Sequence, residues 1–175
     1  MRRPELTAGA VALVLFSILS SPVQAGPVRD LTPVGQGEMH WLFWKLYDIR
    51  LLSSDGEYQE GRYPLALALR YARHIEANDL VDATLDEWQR LDQPWQPLWA
   101  SRLRELWPSV VPGDELLLRV EADGSSHFYY NGNPLGALDD PGFAPAFLAI
   151  WLSTETREPG LRLELLGQSP GESDA

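Results

Sequence analysis

Hydrophobic positions change from a strand-like to a helical spacing between His127 and Leu152. The aromatic run at 127–130 suits a pleated strand, and the Asn-Gly-Asn-Pro sequence after it predicts a tight turn that ends the strand. Asp140 is a suitable N-cap and Pro141 a suitable first residue for the helix that follows. The apolar side chains of this helix recur on one face, at Phe143, Phe147, Ile150 and Trp151. The pattern predicts a strand, a turn and an amphipathic helix that covers a sheet.

Alternating and helical spacings predict the other elements. The first begins near Val34, and the apolar stretch 38–52 predicts either one bent or bulged strand or two strands in close succession. Further strands are predicted at 63–73 and 114–121, a hairpin turn at 123–124, and helices at 76–91, 96–107 and 158–166. This order of elements indicates an α+β fold, in which helices pack on one face of a largely antiparallel sheet.

The first 25 residues have the pattern of a cleaved signal peptide. Arg2 and Arg3 precede a run of apolar and small residues at 8–20, and small residues at 23–25 suit cleavage. The run is shorter than the ~20 residues that span a bilayer, and Pro22 follows it. We therefore expect a signal peptide at residues 1–25, one domain at residues 26–175, no membrane span after cleavage, and a periplasmic or secreted protein.

The chain is acidic and contains no cysteine. The lack of cysteine excludes disulfides, thiol nucleophiles and cysteine metal sites. Loss of Arg2, Arg3 and Glu5 with the signal changes the formal net charge from −11 to −12, which disfavours nucleic acid or an anionic membrane as a partner. Seven tryptophans indicate either a large aromatic core or an aromatic-lined cleft. We predict no cofactor, and the spacing of His40 and His127 supports no metal site. Composition does not fix the oligomeric state.

Simple alternation along 38–52 places Trp41, Phe43, Lys45 and Tyr47 on one face of the predicted strand. If that face lines a cleft, the Lys45 ammonium is an anchor for a carboxylate or an enolate; otherwise Lys45 is an ordinary lysine at the rim. Five tryptophans are either core residues or a wall on which a ligand stacks, namely Trp41, Trp44, Trp95, Trp99 and Trp107.

A second basic group lies at the end of the strand predicted at 63–73. Arg70 and Arg73 cluster there with His74, and Glu76 and Asp79 follow. The group forms either structural salt bridges or an anion site.

Three segments together resemble the chalcone isomerase-like family, specifically its exported bacterial branch. They are WLFWKLYDIRLL at 41–52, LALALRYARHIEANDLVDATLDEW at 65–88, and FYYNGNPLGALDDPGFAPAFLAIWLS at 128–153 followed by EPGLRLELLG at 158–167. The resemblance covers essentially the whole chain after residue 25. It implies an open-faced sandwich, with a large antiparallel sheet, helices on one side and a cleft between sheet and helices.

In the plant enzymes of that family, an arginine and a threonine on early strands, a tyrosine and an asparagine on the helical hairpin, and a late threonine cyclise a chalcone to a flavanone. Donors or a cation stabilise the enolate that develops. The resemblance places Lys45 about where the early threonine is expected, and Thr154 and Thr156 near the last threonine, so these are the catalytic candidates. No tyrosine lies at 72–128, and Asn78 is at the wrong end of the helical pair.

Three hypotheses follow. The first is an exported, non-catalytic protein that binds a small hydrophobic ligand, with or without a carboxylate, between sheet and helices; some similar family members bind fatty acids. The second is an intramolecular lyase, an isomerase of chalcone isomerase type, with Lys45 as electrostatic catalyst. The third is a periplasmic scaffold for a protein partner, which an exposed apolar patch on the outer sheet face would favour. The expected ligand-binding residues are Lys45, Trp41, Phe43, Tyr47, Arg70 and Arg73.

Overall fold

Six strands form one antiparallel sheet in the computed structural model, which describes residues 26–168. The strands are β1 (Thr32–Trp41), β2 (Trp44–Ser53), β3 (Leu65–Tyr71), β4 (Glu115–Val120), β5 (Ser126–Tyr130) and β6 (Asn133–Leu138). Their order in the sheet is their order in the chain, and each strand is antiparallel to the next. The signal peptide predicted at residues 1–25 lies outside the described residues.

Four helices cover one face of this sheet. They are α1 (Ala77–Arg90), α2 (Pro97–Leu106), α3 (Phe143–Leu152) and α4 (Pro159–Leu165). They share a core with Ile49, Leu51 and Leu67, whose side of the sheet we call the inner face. α3 is buried on nearly all sides, since α1 and α4 pack against it in addition to the sheet. The predicted α+β architecture, with helices on one face of an antiparallel sheet, is confirmed.

β6 was not predicted, because the Asn-Gly-Asn-Pro run was interpreted only as the turn that ends the preceding strand. Asn131 and Gly132 have positive φ values of 50° and 80°, the geometry of a two-residue hairpin turn. Tyr130 and Asn133 pair across that turn, so the chain returns along β5 as a sixth strand. Pro134 is tolerated there because β6 is an edge strand of the sheet.

Helix α3 begins two residues later than predicted. Asp140 precedes the helix and is not its N-cap. Its carboxylate accepts a hydrogen bond from the Gly142 N–H at 2.9 Å, and its carbonyl oxygen accepts one from the Phe143 N–H at 3.0 Å. The carboxylate also accepts the Trp99 indole N–H at 2.9 Å. Asp140 therefore ties the start of α3 to α2.

The stretch 38–52 belongs to two strands, β1 and β2, rather than to one bent strand. This is the second of the two predicted alternatives. Trp41 pairs with Trp44 at the end of the β1–β2 hairpin, and Leu42 and Phe43 form the two-residue turn. Leu42 has a positive φ of 56°. The hairpin therefore presents four consecutive large apolar residues at its turn.

The outer face of the sheet is partly covered by the segment that precedes β1. Val28 and Leu31 pack on a small apolar cluster of outer-face residues, Leu52, Ala66, Ala68 and Leu117. Arg119 holds the segment in place through two hydrogen bonds to the Asp30 carboxylate, at 2.7 and 2.8 Å. The small alanine side chains of β3 allow this close approach. The apolar patch that a scaffold would expose on this face is thus covered within residues 26–168.

Helix α4 packs directly on β1 at two glycines. A Cβ atom on Gly35 would clash with the carbonyl oxygen of Glu164 and lie 2.5 Å from that of Leu165. A Cβ on Gly37 would clash with the Leu161 side chain. Only glycine allows the helix backbone to approach the strand this closely.

Candidate functional site

A cavity of about 400 Å³ lies between the inner face of the sheet and helices α1 and α3. Cavities of this size are typical of small-molecule sites. α1 faces it with the short side chains of Ala83 and Thr84, which leave the space between helix and sheet unfilled. The apolar lining includes Leu69, Leu116, Leu118, Phe128, Phe147, Ile150 and Trp151.

Two tyrosine hydroxyls are the polar groups that the inner sheet face contributes to this lining. The rings of Tyr47 and Tyr71 pack edge to face, with centroids 5.6 Å apart. The Trp151 indole N–H donates to the Tyr47 hydroxyl oxygen at 3.0 Å. Burial raises the pKa of both tyrosines. Both hydroxyls therefore stay protonated at neutral pH and are available as hydrogen-bond donors.

The Trp107 side chain lies in the same lining, and its indole N–H is a further donor that is itself buried. Its ring packs edge to face on Phe128 and Phe147, at centroid distances of 5.5 and 5.9 Å. Its buried indole N–H has no acceptor within residues 26–168. A buried donor without a partner costs about 1–3 kcal/mol. A bound molecule whose acceptor atom reaches this N–H would remove that cost.

The mouth of the cavity is acidic. Asp79, Asp86 and Glu87 of α1 and Glu158 before α4 lie in the lining. Arg157 is the one cation among the described lining residues, and its Nε pairs with Glu87 Oε1 at 2.6 Å. At neutral pH the carboxylates outnumber the guanidinium, which disfavours a bound anion.

Lys45 does not lie where simple alternation along β2 puts it. Met39 pairs with Tyr47 and His40 with Lys45, so Leu46 is an extra residue on β2. A bulge of this kind reverses the alternation of side chains beyond it. Leu46 therefore joins Tyr47 in the cavity lining, and Lys45 is not in that lining.

Lys45 is instead held by two carboxylates. Its Nζ lies 2.8 Å from Glu38 Oε1 and 2.5 Å from Asp48 Oδ1. Hydrogen bonds to Asp48 and Glu38 raise the pKa of the Lys45 ammonium. The lysine is thus a charged, paired side chain on the sheet surface. It lies outside the cavity lining, where its contact with a ligand was expected.

The predicted aromatic residues are divided between the cavity and solvent. Trp41 and Tyr47 both contribute to the cavity lining. Phe43, at the hairpin turn, is 95% exposed and contacts no part of the cavity.

The two predicted arginines lie outside the cavity lining. Arg70 is exposed, and in the sheet it lies opposite Asp48 of β2 on one side and Glu115 of β4 on the other. The Arg73 guanidinium lies over the Trp44 ring, with 4.7 Å from Cζ to the ring centroid. The two side chains therefore do not form the anion site that was one of the two interpretations.

The two candidate threonines lie on different sides of α3. Thr156 lines the cavity, but its hydroxyl donates to the Ile150 carbonyl at 2.9 Å. Thr154 lies in a separate, more polar depression, together with Tyr58 and Arg162. The structure thus does not bring Lys45, Thr154 and Thr156 together.

Several lining residues were not among the predicted site residues. Tyr71 had a visible signal, since it shares an alternating face with Leu67 and Leu69 in β3. Trp107 was considered only as one of several tryptophans of the core or of a ligand-stacking wall. The acidic residues of the mouth had no signal, because they reach the cavity only through the packing of helices on the sheet.

The chain belongs to the chalcone isomerase-like family. A family model described as chalcone isomerase-like matches residues 55–167, well over half of the chain, which confirms the resemblance noted in the sequence. A protein of Haemophilus influenzae, described as uncharacterized, is 27% identical over 163 residues, which cover 92% of this chain and 80% of that protein.

Among solved structures, the fold is similar to that of the fatty-acid binding protein AtFAP1 of Arabidopsis thaliana. The TM-score is 0.63, and the match covers 81% of this chain and 89% of the plant protein. The sequence identity is 9%, so the likeness concerns the fold.

Residues 26–168 contain the four helices α1 to α4. None of the helices there has the length and apolar character to cross a membrane. No three histidine, aspartate or glutamate side chains in that range lie close enough together to share a metal ion.

Proposed function

We propose that the protein is an exported, non-catalytic binding protein that holds one small, mainly apolar molecule between its sheet and its helices. The observation that carries this proposal is the cavity of about 400 Å³, which the surrounding aromatic and aliphatic side chains leave open. Burial of apolar ligand surface contributes roughly 25 cal/mol per Å² and favours occupancy of such a space. The signal peptide pattern at residues 1–25 supports export.

The lining favours a ligand with an uncharged acceptor at its polar end. Tyr47, Tyr71 and Trp107 offer hydrogen-bond donors without a positive charge. A carboxylate buried beside them would lack a counter-ion, and the acidic mouth would repel it. The fatty-acid binding named for the Arabidopsis protein supports a long apolar chain in the ligand. The distribution of charge supports an alcohol, ester or ketone as its head group.

The absence of catalysis in this proposal rests on the position of the candidate residues. Lys45 is paired with carboxylates outside the cavity, and the Thr156 hydroxyl is used by a backbone carbonyl. Neither the Lys45 ammonium nor the Thr156 hydroxyl is therefore free to stabilise an enolate in the cavity. Turnover of a chalcone by the purified protein would contradict this part of the proposal.

We expect the protein to bind 1-dodecanol more tightly than dodecanoate at pH 7, by about tenfold or more, because the acid must bury an unpaired charge. The measurement is displacement of the neutral fluorescent probe N-phenyl-1-naphthylamine from lipid-free protein. The two competitors have the same chain length and differ only in the head group. Tighter binding of dodecanoate would refute the proposed preference for a neutral head group. Failure of both compounds to bind would refute the proposed function.

A further inference from the structure

Four consecutive apolar side chains protrude from the end of the β1–β2 hairpin, and we call this group the aromatic tip. Its members, Trp41, Leu42, Phe43 and Trp44, have exposed fractions of 59%, 78%, 95% and 60%. The other exposed large apolar side chains among residues 26–168 are Trp95, Leu98 and Val111, of which Leu98 lies in α2 and the other two lie in loops. Contiguous exposed apolar groups of this kind mark interaction sites.

The backbone of the aromatic tip carries a leucine where leucine is disfavoured. Leu42 has a φ of 56°, in the left-handed region that glycine and asparagine occupy most readily. A bulky side chain there costs stability, and its own side chain gains no burial within the described chain to offset that cost. The local backbone would favour glycine, and the leucine side chain found there is exposed to solvent.

The charges around the aromatic tip nearly cancel. Lys45 is paired with Glu38 and Asp48, and the Arg73 guanidinium lies over the Trp44 ring. The chain as a whole has a formal net charge of −11. An anionic surface would therefore repel the protein, whereas a surface without net charge would not.

We propose that the aromatic tip inserts into the interfacial region of a lipid bilayer without net charge. Tryptophan is enriched at this depth of membranes, and Leu42 and Phe43 provide the apolar side chains that enter below it. A stable protein interface takes about 20–30 residues from each partner, whereas the aromatic tip offers four. Partition into lipid requires no such complementary surface.

The position of Trp41 connects this docking site with the cavity. Its side chain belongs to the aromatic tip and also lines the cavity beside Tyr47. A protein docked through the aromatic tip therefore holds its cavity next to the bilayer. An apolar molecule can then pass between lipid and cavity without crossing a long path through water.

The test is flotation of the purified protein with phosphatidylcholine vesicles. We expect the protein to float with the vesicles. Phe43→Asp is expected to weaken partition by about tenfold or more, since it puts a charge in place of the ring that enters the bilayer. Leu98→Asp is the matched control, because Leu98 is 71% exposed on α2 away from the tip. It is expected to partition like the unaltered protein.

A second variant separates membrane contact from folding. Leu42→Gly removes the apolar side chain and suits the positive φ, so it is expected to fold at least as stably and to partition more weakly. No flotation of the unaltered protein, or equal flotation of Phe43→Asp and Leu42→Gly with it, would overturn the proposal. Concentration-dependent dimers that Phe43→Asp abolishes, without vesicle binding, would assign the tip to a second copy of the chain instead. These outcomes do not depend on whether the cavity binds dodecanol.

Discussion

Replacement of Gly35 by alanine is expected to lower the free energy of unfolding by about 3 kcal/mol or more, which is a large part of the 5–15 kcal/mol that stabilises most domains. The added Cβ would clash with the carbonyl oxygen of Glu164 and lie 2.5 Å from that of Leu165. Both obstacles are backbone atoms, which cannot turn away as a flexible side chain can. α4 must therefore move off β1, and its apolar contacts with the sheet weaken. Urea or thermal unfolding followed by circular dichroism measures the change.

Gly160→Ala is the matched control for this prediction. Gly160 lies in α4 itself, and an added Cβ there meets no atom within 4 Å. Alanine in place of glycine in a helix stabilises it by up to about 1 kcal/mol. Equal stability of Gly35→Ala and the unaltered protein would show that α4 is not seated on β1 as described.

Thr84→Trp is expected to weaken dodecanol binding by about a hundredfold or more, because the indole occupies the space that the ligand needs. Thr84 is buried on α1 and lines the cavity, and its hydroxyl donates only to the Leu80 carbonyl one turn earlier. The cavity of about 400 Å³ has room for the larger side chain, so the fold is expected to keep its stability or gain from the filled space. The same probe-displacement titration measures the affinity.

Gln89→Trp introduces the same side chain on the same helix, at an exposed position outside the cavity lining. It is expected to bind dodecanol like the unaltered protein. Undiminished binding by a folded Thr84→Trp variant would mean that the ligand lies elsewhere.

Much of the fold could be predicted because the apolar spacing of each element reflects a single buried face. The helices at 76–91, 96–107 and 158–166 were predicted to within one or two residues of their bounds, since each has a stripe of apolar residues and a proline or polar break at its ends. β6 was missed because it contains a proline and has little alternation. Its only signal was the Asn-Gly turn, which also fits the end of a sheet.

The cavity could be predicted less well, for two physical reasons. The β2 bulge at Leu46 reverses the sides of the strand, and one inserted residue leaves no trace in the alternation pattern. Lys45 was therefore assigned to the wrong side of the strand. The acidic mouth arises where the exposed edge of α1 meets Glu158, and residues so far apart in sequence are brought together only by tertiary packing.

The aromatic tip is the opposite case. Its apolar residues are evident in the sequence, but only the fold shows that they are exposed together. Trp41 and Trp44 were interpreted as core or ligand-stacking residues, and Phe43 as a ligand-binding residue. The hairpin turn between Trp41 and Trp44 leaves all three side chains more than half exposed, and of the three only Trp41 also lines the cavity. Together with the cavity that Trp41 also lines, this position supports exchange of an apolar molecule at a membrane surface.

The most direct test of the cavity as a binding site is the location of bound dodecanol by intermolecular nuclear Overhauser effects in the saturated complex. We predict effects between the alkyl protons and the ring protons of Phe147 and Trp151, which lie in the lining. Effects confined to the aromatic tip or to the outer face of the sheet near Leu117, with none to Phe147 or Trp151, would contradict the account.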